Sequence, residues 1–235
     1  MTDSFLQRKQ DVLSKIDKSS IGKWDEKIAS LCRKINLKDN FYTTSSCSGR
    51  ILLMIDQDKK GEDLFVFVSH EKISFNQLKE ELWVLLKKEP NMVENRKRIK
   101  FKLEPCILHI ACKTIDDAKV LFEKGKEAGF KRLGIIGTSH GFTFELNSTE
   151  KLEFPIIQNK KLLVDDNFLK IIVEDANKKL EKSWEKLKRL EKLITNMDKT
   201  ELLDKLQKEK EFNDWAVNLG KRAKKGRMKK LLKRE

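Results

Sequence analysis

The feature that most constrains the fold is the alternation of short apolar runs with stretches that carry a helical apolar stripe. The runs "ILLMID" (51–56) and "LFVFVSH" (64–70) are rich in branched and aromatic residues and flank a turn around 60–61, which predicts two strands. Apolar residues spaced three and four apart over 24–35 predict a helix. Further runs predict strands at 98–104, 106–113, 133–137 and 141–147.

Capping residues mark where several helices begin and end. Ser74 is a good N-cap for the helix "FNQLKEELWVLLKK", which must end before Pro90. Thr114 and Asp117 form a capping-box start for a helix running to Gly129, a residue suited to the left-handed position after a helix. Short strands interleaved with helices therefore predict an α+β fold, a mixed α/β body with flanking helices.

The positive charge is concentrated near the C-terminus. The net charge is +14, and residues 176–235 hold 20 Lys or Arg against 10 Asp or Glu. A long helix is predicted from Asp165, and residues 221–235, "KRAKKGRMKKLLKRE", are too polar to pack. We expect an α+β domain at 1–175, C-terminal helices with a basic tail at 176–235, and an anionic partner, with nucleic acid ahead of a membrane.

The usual signatures of cofactor and metal enzymes are missing from the sequence. No GxGxxG follows a predicted strand and no HExxH occurs, which argues against a Rossmann dehydrogenase or methyltransferase. Cys106, His109 and Cys112 lie close in sequence, but strand alternation turns His109 away from the two cysteines, so no metal site is expected. No CxxC pair and no membrane-length apolar run occur, so we expect free thiols, no membrane association and a cytoplasmic location.

The stretch "TTSSCSGR" (43–50) is predicted to be a loop of small polar side chains. Such a loop leaves backbone amides accessible, Gly49 permits close approach, and Arg50 offers a planar fork of donors for a carboxylate or phosphate. A solvated linker explains the same residues, so both interpretations stay open on this stretch alone. Nucleophilic catalysis by Cys47 would need His70 or His109 as a base within hydrogen-bond reach.

Five segments, in this order, resemble the tRNA wybutosine-synthesising protein 3 family of archaea and eukaryotes. Its most specific signature is the core "SSCSGR" inside "FYTTSSCSGRILL". One departure is Leu133, which stands where a Ser is expected before Gly-Ile. The segments are 41–53, the strand end Ser69-His70, "FKLEPCILHI" (101–110), "EAGFKRLGI" (127–135) and "STEKLEFPI" (148–156).

The resemblance implies a tRNA methyltransferase that uses S-adenosylmethionine and no metal. The implied substrate is a tricyclic guanosine derivative beside the anticodon of phenylalanine tRNA, methylated on N4 when it already carries an aminocarboxypropyl chain. The implied fold is a mixed α/β body that is not of the Rossmann type. The oligomeric state is not implied.

The resemblance also implies site residues, position by position. Arg50 would hold a carboxylate of the cofactor or of the substrate, and a histidine or Glu104 would take the proton from N4. The cofactor set is Ser45, Ser46, Cys47, Ser48, Gly49 and Arg50; the catalytic set is His70, Glu104 and His109; the substrate set is Pro105, Gly134, Ser148 and Thr149.

A second hypothesis comes from the charge distribution. The basic C-terminal arm fits contacts to phosphates, which give affinity without sequence information. The chain would then be a non-catalytic module that binds tRNA. The two hypotheses differ in whether the protein binds a methyl donor.

Overall fold

The computed structural model describes residues 4–15, 24–57, 64–87, 98–138 and 141–197. These residues form the predicted α+β fold, with five helices and two antiparallel sheets. The helices are α1 (Ser4–Leu13), α2 (Glu26–Asn36), α3 (Phe75–Lys87), α4 (Ile115–Glu127) and α5 (166–197). The strands are β1 (Phe41–Cys47), β2 (Arg50–Ile55), β3 (Phe65–Ser69), β4 (Ile99–Glu104), β5 (Ile107–Cys112), β6 (Arg132–Thr138), β7 (Gly141–Asn147), β8 (Leu152–Gln158) and β9 (Lys161–Leu162).

Three neighbouring strands of the first sheet continue into three neighbouring strands of the second, because the chain passes from one sheet into the other at three places. The first sheet has the order β1-β5-β7-β6 and the second has the order β3-β2-β4-β8-β9. β1 leads into β2, β4 into β5, and β7 into β8, so the three crossing points lie side by side. We call these crossing points, residues 48–49, 105–106 and 148–151, the strand break.

Hydrogen bonds across the strand break replace those of a continuous ladder. The Ser148 N–H donates to the Cys106 carbonyl at 3.0 Å, and the Cys106 N–H donates to Ser148 Oγ at 3.2 Å. Gly49 has a φ of +96°, and a Cβ there would lie 3.2 Å from the Glu104 carbonyl oxygen. The first crossing thus requires a residue without a side chain.

Helix α5 packs on the first and third crossings of the strand break. The Ser183 hydroxyl lies 3.0 Å from the Ser148 hydroxyl, and Lys186 forms an ion pair with Glu150 at 2.7 Å. A Cβ on Gly49 would also lie 3.2 Å from Leu180 Cδ2, so the helix packs directly on the first crossing. The sheets and α5 therefore enclose one core around these crossings.

Several local predictions are confirmed. Ser74 Oγ accepts from the Gln77 N–H at 3.1 Å at the start of α3. Thr114 and Asp117 form the capping box of α4, and Gly129 follows that helix with a φ of +94°. These features depend on residues within one turn of each other, which is why the sequence reveals them.

The loop prediction for 43–50 is wrong, because Thr43–Cys47 belong to β1. This segment pairs with β5 from Phe41↔Cys112 to Cys47↔Ile107, with a register shift between Thr43 and Ser45. Only residues 48 and 49 form the turn. Small polar side chains are compatible with a half-exposed strand when a neighbouring strand supplies the hydrogen bonds.

The chain divides into two compact units, Met1–Lys192 and Leu193–Glu235. Residues 176–192 of the predicted C-terminal helices thus belong to the first unit. The predicted basic tail (221–235) and the predicted turn around 60–61 lie outside the described residues. No helix among those described is long and apolar enough to cross a membrane.

We predict that Gly49→Ala destabilises the protein by about 1–3 kcal/mol, because the new side chain must adopt a positive φ at a crowded crossing. Gly137→Ala is the control, since a Cβ at that strand position meets nothing within 4 Å. Chemical unfolding monitored by circular dichroism measures both. Equal stability of the two variants would contradict this account of the first crossing.

A second prediction concerns pH. Burial acts to raise the pKa of Glu150, but the hydrogen bonds and charge of Lys186 outweigh it, so the folded-state pKa lies below the ordinary 4.5. The pair therefore stabilises the fold above pH 4.5, and its contribution is lost as the pH falls through the folded-state pKa.

Accordingly, Lys186→Met should cost about 2 kcal/mol at pH 7, and the loss should shrink as the pH falls below 4.5. Lys188→Met removes an exposed charge two residues further along the same helix and serves as the control. Urea unfolding at pH 7 and at lower pH measures the difference. A loss of stability that does not depend on pH would show that the packing of the Lys186 side chain, and not its ion pair with Glu150, stabilises the fold.

Candidate active site

The "SSCSGR" segment lies where β1 ends and β2 begins, at the first crossing of the strand break. Within β1, the side chain of Ser45 is exposed, whereas those of Ser46 and Cys47 are half-buried. Ser48 is fully buried, and its hydroxyl has no hydrogen-bond partner among the described residues. The segment thus combines a buried turn with an exposed side chain, that of Ser45, in the adjoining strand.

A buried carboxylate, Asp25, joins this segment to His70. Its Oδ2 accepts from the Ser48 N–H at 2.7 Å, and its Oδ1 lies 3.5 Å from His70 Nε2. The side chain of Asp25 is only 6% exposed, and that of His70 is 18% exposed. The sequence analysis missed Asp25, because an Asp before a helix is usually read as a cap.

Asp25, Cys47 and His70 place one ligand atom each within 4.8 Å of one another, the one such cluster found in the described ranges. Burial and the Asp25 charge raise the pKa of the Cys47 thiol to about 12. One Asp25 oxygen already accepts the Ser48 N–H. The cluster therefore joins the turn, the thiol and the imidazole around one buried carboxylate.

Arg50 is held by a carboxylate and an aromatic ring. Its Nε donates to Glu104 Oε2 at 2.8 Å, and its guanidinium carbon lies 4.9 Å from the centre of the Phe65 ring. Arg50 and Glu104 are cross-strand partners of β2 and β4. No described hydrogen bond uses the two terminal nitrogens of Arg50, and its side chain is 24% exposed. These nitrogens can bind an external carboxylate.

Glu104 begins a chain of alternating charges on the same face of the second sheet. Its Oε1 lies 3.8 Å from Lys102 Nζ, which is 3.6 Å from a Glu153 oxygen. Lys100 then joins Glu153 at 3.3 Å and Asp56 at 2.9 Å. Glu104 is thus engaged by two cations, which fits the positioning of Arg50 better than proton transfer.

A row of residues across the first sheet brings together three predicted site positions. Ser45 is paired with His109, His109 with Glu145, and Glu145 with Gly134. His109 Nε2 lies 2.9 Å from Glu145 Oε2, an ion-pair distance, although the two atoms do not align as a hydrogen bond. A Cβ on Gly134 would meet nothing within 4 Å, so the face is open there.

The remaining predicted positions lie at the other two crossings. Pro105 separates β4 from β5, so it lies between two sheets and not at an edge. Ser148 is 1% exposed, and its hydroxyl bonds within the fold, whereas Thr149 is exposed. Glu145, like Asp25, was missed, since a half-exposed Glu in an alternating strand shows no sign of a histidine partner.

The chain is similar to proteins of one family along most of its length. The family model described as "Methyltransferase TYW3" matches residues 7–196. An Archaeoglobus fulgidus protein named tRNA(Phe) 7-((3-amino-3-carboxypropyl)-4-demethylwyosine(37)-N(4))-methyltransferase is 33% identical over 82% of this chain and 93% of its own. The tRNA wybutosine-synthesizing protein 3 homolog of Danio rerio is 32% identical over 82% and 75%. The solved structure of PH1069 protein from Pyrococcus horikoshii matches with a TM-score of 0.69 and 30% identity over 83% and 98%.

The raised pKa of Cys47 predicts a thiol that does not act as a nucleophile. With a pKa of about 12, the thiolate is so scarce at pH 8 that iodoacetamide should label Cys47 roughly 100-fold more slowly in folded than in urea-unfolded protein, after allowance for the greater nucleophilicity of a thiolate of high pKa. Mass spectrometry of the Cys47 peptide measures both rates. Labelling of the folded protein at the rate of the unfolded chain would contradict the burial argument.

Proposed function

This chain belongs to the methyltransferase TYW3 family and is a methyltransferase that acts in tRNA modification; on that premise we propose its substrate and the roles of its site residues. The substrate is the 7-(3-amino-3-carboxypropyl)-4-demethylwyosine nucleotide of phenylalanine tRNA, methylated on N4. It lies next to the anticodon, and the enzyme works in the cytoplasm. The relatives' names supply the substrate class.

The observation that carries the proposal is the convergence of the "SSCSGR" segment with three side-chain pairs that each contain a carboxylate. These pairs are Arg50 with Glu104, His109 with Glu145, and His70 with Asp25. The carboxylate beside each basic side chain restricts the orientation of that side chain before a ligand arrives. Methyl transfer depends mainly on such prior alignment and charge placement.

The residues fit S-adenosylmethionine as the methyl donor, which supplies an electrophilic methyl group when bound. Its methionine part carries a carboxylate, which suits the terminal nitrogens of Arg50. The Ser48 hydroxyl, which has no hydrogen-bond partner among the residues that the structure describes, adds a buried polar atom at the same turn. We assign Ser45–Arg50 to the donor, and Arg50 to a carboxylate of the donor or of the substrate.

Proton removal from N4 falls to a histidine in this proposal. Glu104 is engaged by Arg50 and Lys102, whereas His70 and His109 each have one carboxylate beside one ring nitrogen. His70 is the nearer to the turn, because Asp25 contacts both. His109 lies in the row of residues across the first sheet that ends at Gly134, where the missing side chain leaves room for the flat ring of the substrate base.

The substrate side of the site comprises the open face of the first sheet and the ends of the neighbouring crossings. Gly134 and Thr149 are its accessible members, and Pro105 and Ser148 shape the backbone beneath them. The overall positive charge favours binding of the phosphates of tRNA.

The central experiment measures methylation of phenylalanine tRNA from cells that lack this protein. Purified enzyme with labelled S-adenosylmethionine should methylate this tRNA and not the fully modified form, as read by nucleoside mass spectrometry. Saturable binding of S-adenosylmethionine in calorimetry should accompany turnover. A protein that binds tRNA but neither binds the donor nor methylates would support the non-catalytic hypothesis.

Arg50→Ala should weaken binding of its carboxylate ligand about 10- to 100-fold, since a charge-assisted hydrogen bond is lost. Arg50→Lys should restore only part of it, because a point charge cannot form the planar fork. Titrating donor and tRNA separately shows which ligand carries the carboxylate.

Arg98→Ala is the matched control, since Arg98 pairs with Asp56 at 3.8 Å at the far end of the same charge chain. It should leave the KM of both ligands unchanged. Equal effects of Arg50→Ala and Arg98→Ala would mean that Arg50 contributes only general charge.

A further inference from the structure

Basic side chains gather on one side of helix α5, beside the third crossing of the strand break. Lys182, Lys186 and Arg189 are spaced four and three residues apart, which places them on one side of the helix over about 10 Å. Lys186 pairs with Glu150 of the third crossing at 2.7 Å, and Arg189 Nε donates to the Ala128 carbonyl after α4 at 3.0 Å. This side of α5 therefore lies against the third crossing and the end of α4.

The two segments that this side of α5 contacts bring further exposed cations. Lys151 is the last residue of the third crossing, and Lys131 and Arg132 lie between the end of α4 and the start of β6. All three side chains are exposed, as are those of Lys182 and Arg189. We call these five residues the basic surface.

The charges of the basic surface are not used inside the described fold. Within the described ranges, none of its five members lies within ion-pair distance of a carboxylate. Arg189 makes its described hydrogen bond through Nε, so its two terminal nitrogens can meet a ligand. On the second sheet, in contrast, Lys100 and Lys102 each contact two carboxylates. Cations that cluster without counter-charges are typical of a surface that binds a polyanion.

The carboxylates near the basic surface are mostly engaged by other side chains. Glu150 pairs with Lys186, and Glu127 at the end of α4 pairs with Lys124. Glu185 is the remaining exposed carboxylate on this part of α5, and the cations around it outnumber it. The surface therefore keeps a positive charge.

Arg132 connects the basic surface with the open face of the first sheet. It pairs with Asn147, and Gly134 pairs with Glu145 two residues further along the same strands. Residues two apart in a strand point to the same face and lie about 7 Å apart. A nucleotide whose base lies over Gly134 can therefore place its phosphate within reach of the Arg132 side chain.

We propose that the basic surface binds phosphates of the tRNA strand that carries the target nucleotide, from Arg132 beside the candidate active site to the cations of α5. This inference rests on the proposed function. Phosphate contacts supply affinity and register without reading sequence. The basic surface thus aligns the strand, and the open face of the first sheet receives the base.

The chemistry of this region favours RNA over an anionic membrane. Among the described residues, no large hydrophobic side chain is exposed within 126–133, 147–152 or 180–190. Membrane-surface binding depends on burying apolar side chains in addition to charge attraction. The basic surface offers charge without that apolar anchor.

The first test removes three lysines of the basic surface from the full-length protein. Lys131→Gln/Lys151→Gln/Lys182→Gln should weaken binding of phenylalanine tRNA from cells that lack this protein by about 10-fold. The slope of log Kd against log salt concentration should become less steep by about two, because three phosphate contacts are lost. Fluorescence anisotropy over a salt series measures both quantities.

The matched control is Lys15→Gln/Lys160→Gln/Lys161→Gln, which removes three exposed lysines from other parts of the fold. It lowers the net charge by the same amount and should keep the wild-type Kd and salt slope. Both variants retain the basic tail, so its contribution cancels. Equal losses in the two variants would mean that only general charge matters and would overturn the proposal.

Arg132 has its own kinetic test. Arg132→Gln should raise the KM for tRNA about 5- to 10-fold, with kcat changed by less than about threefold and the affinity for S-adenosylmethionine unchanged. Arg132→Lys should retain most of the wild-type KM, because a phosphate accepts a point charge as well as a planar fork. A lowered kcat with an unchanged KM for tRNA would overturn the role given to Arg132.

Lysine footprinting of the wild-type protein needs no variant and decides if the triple variant does not fold. Binding of tRNA should slow the reductive methylation of the three basic-surface lysines, read by mass spectrometry, and leave the three control lysines unchanged. Vesicles of phosphatidylserine and phosphatidylcholine should protect neither set. Protection of the basic surface by these vesicles and not by tRNA would overturn the proposal in favour of a membrane partner.

The two levels of the proposal fail separately. A wild-type protein that binds tRNA through the protected lysines but does not methylate it would overturn the proposed function alone. A wild-type protein that methylates the tRNA without protection of these lysines would overturn the role of the basic surface alone.

Discussion

Three stretches of chain pass between two sheets side by side, and the backbone groups at those crossings cannot pair as they would in a continuous ladder. Buried backbone N–H and C=O groups must nevertheless find partners. Here Ser148 and Cys106 exchange hydrogen bonds, Ser183 supports the Ser148 hydroxyl, and Gly49 lets the first crossing approach Glu104 and helix α5. The position of α5 follows from this constraint, because the helix supplies partners for the third crossing and packs on the first.

The candidate active site lies at the strand break for the same reason. Where the strands separate, side chains from α2, from the end of β3 and from the start of β2 gather around one turn. Basic side chains there lie beside carboxylates, as with Arg50 and Glu104, or His70 and Asp25. Groups that are already held in place need little reorganisation during the transfer of a methyl group. In the function proposed above, this geometry serves alignment and charge placement, and the Cys47 thiol, whose pKa is raised by burial, is not used as a nucleophile.

Local sequence features predicted much of the fold. The caps at Ser74 and Thr114 and the left-handed Gly129 depend on near neighbours in the chain, so they are readable without tertiary structure. The prediction for 43–50 was wrong because its residues form a strand only when β5 lies beside them. The resemblance to the family is unaffected by this error, because it depends on which residues occupy the segment and not on whether they form a loop or a strand.

The sequence by itself determined the α+β class, the helix ends, the family and the position of the "SSCSGR" segment, because each is encoded in neighbouring residues. Tertiary structure alone decided which charges meet. Asp25 and His70 are 45 positions apart, and His109 meets Glu145 only through the register of two strands. No spacing rule connects such residues, since their distance depends on how the sheets cross. The partners of the site histidines are therefore a property of the fold.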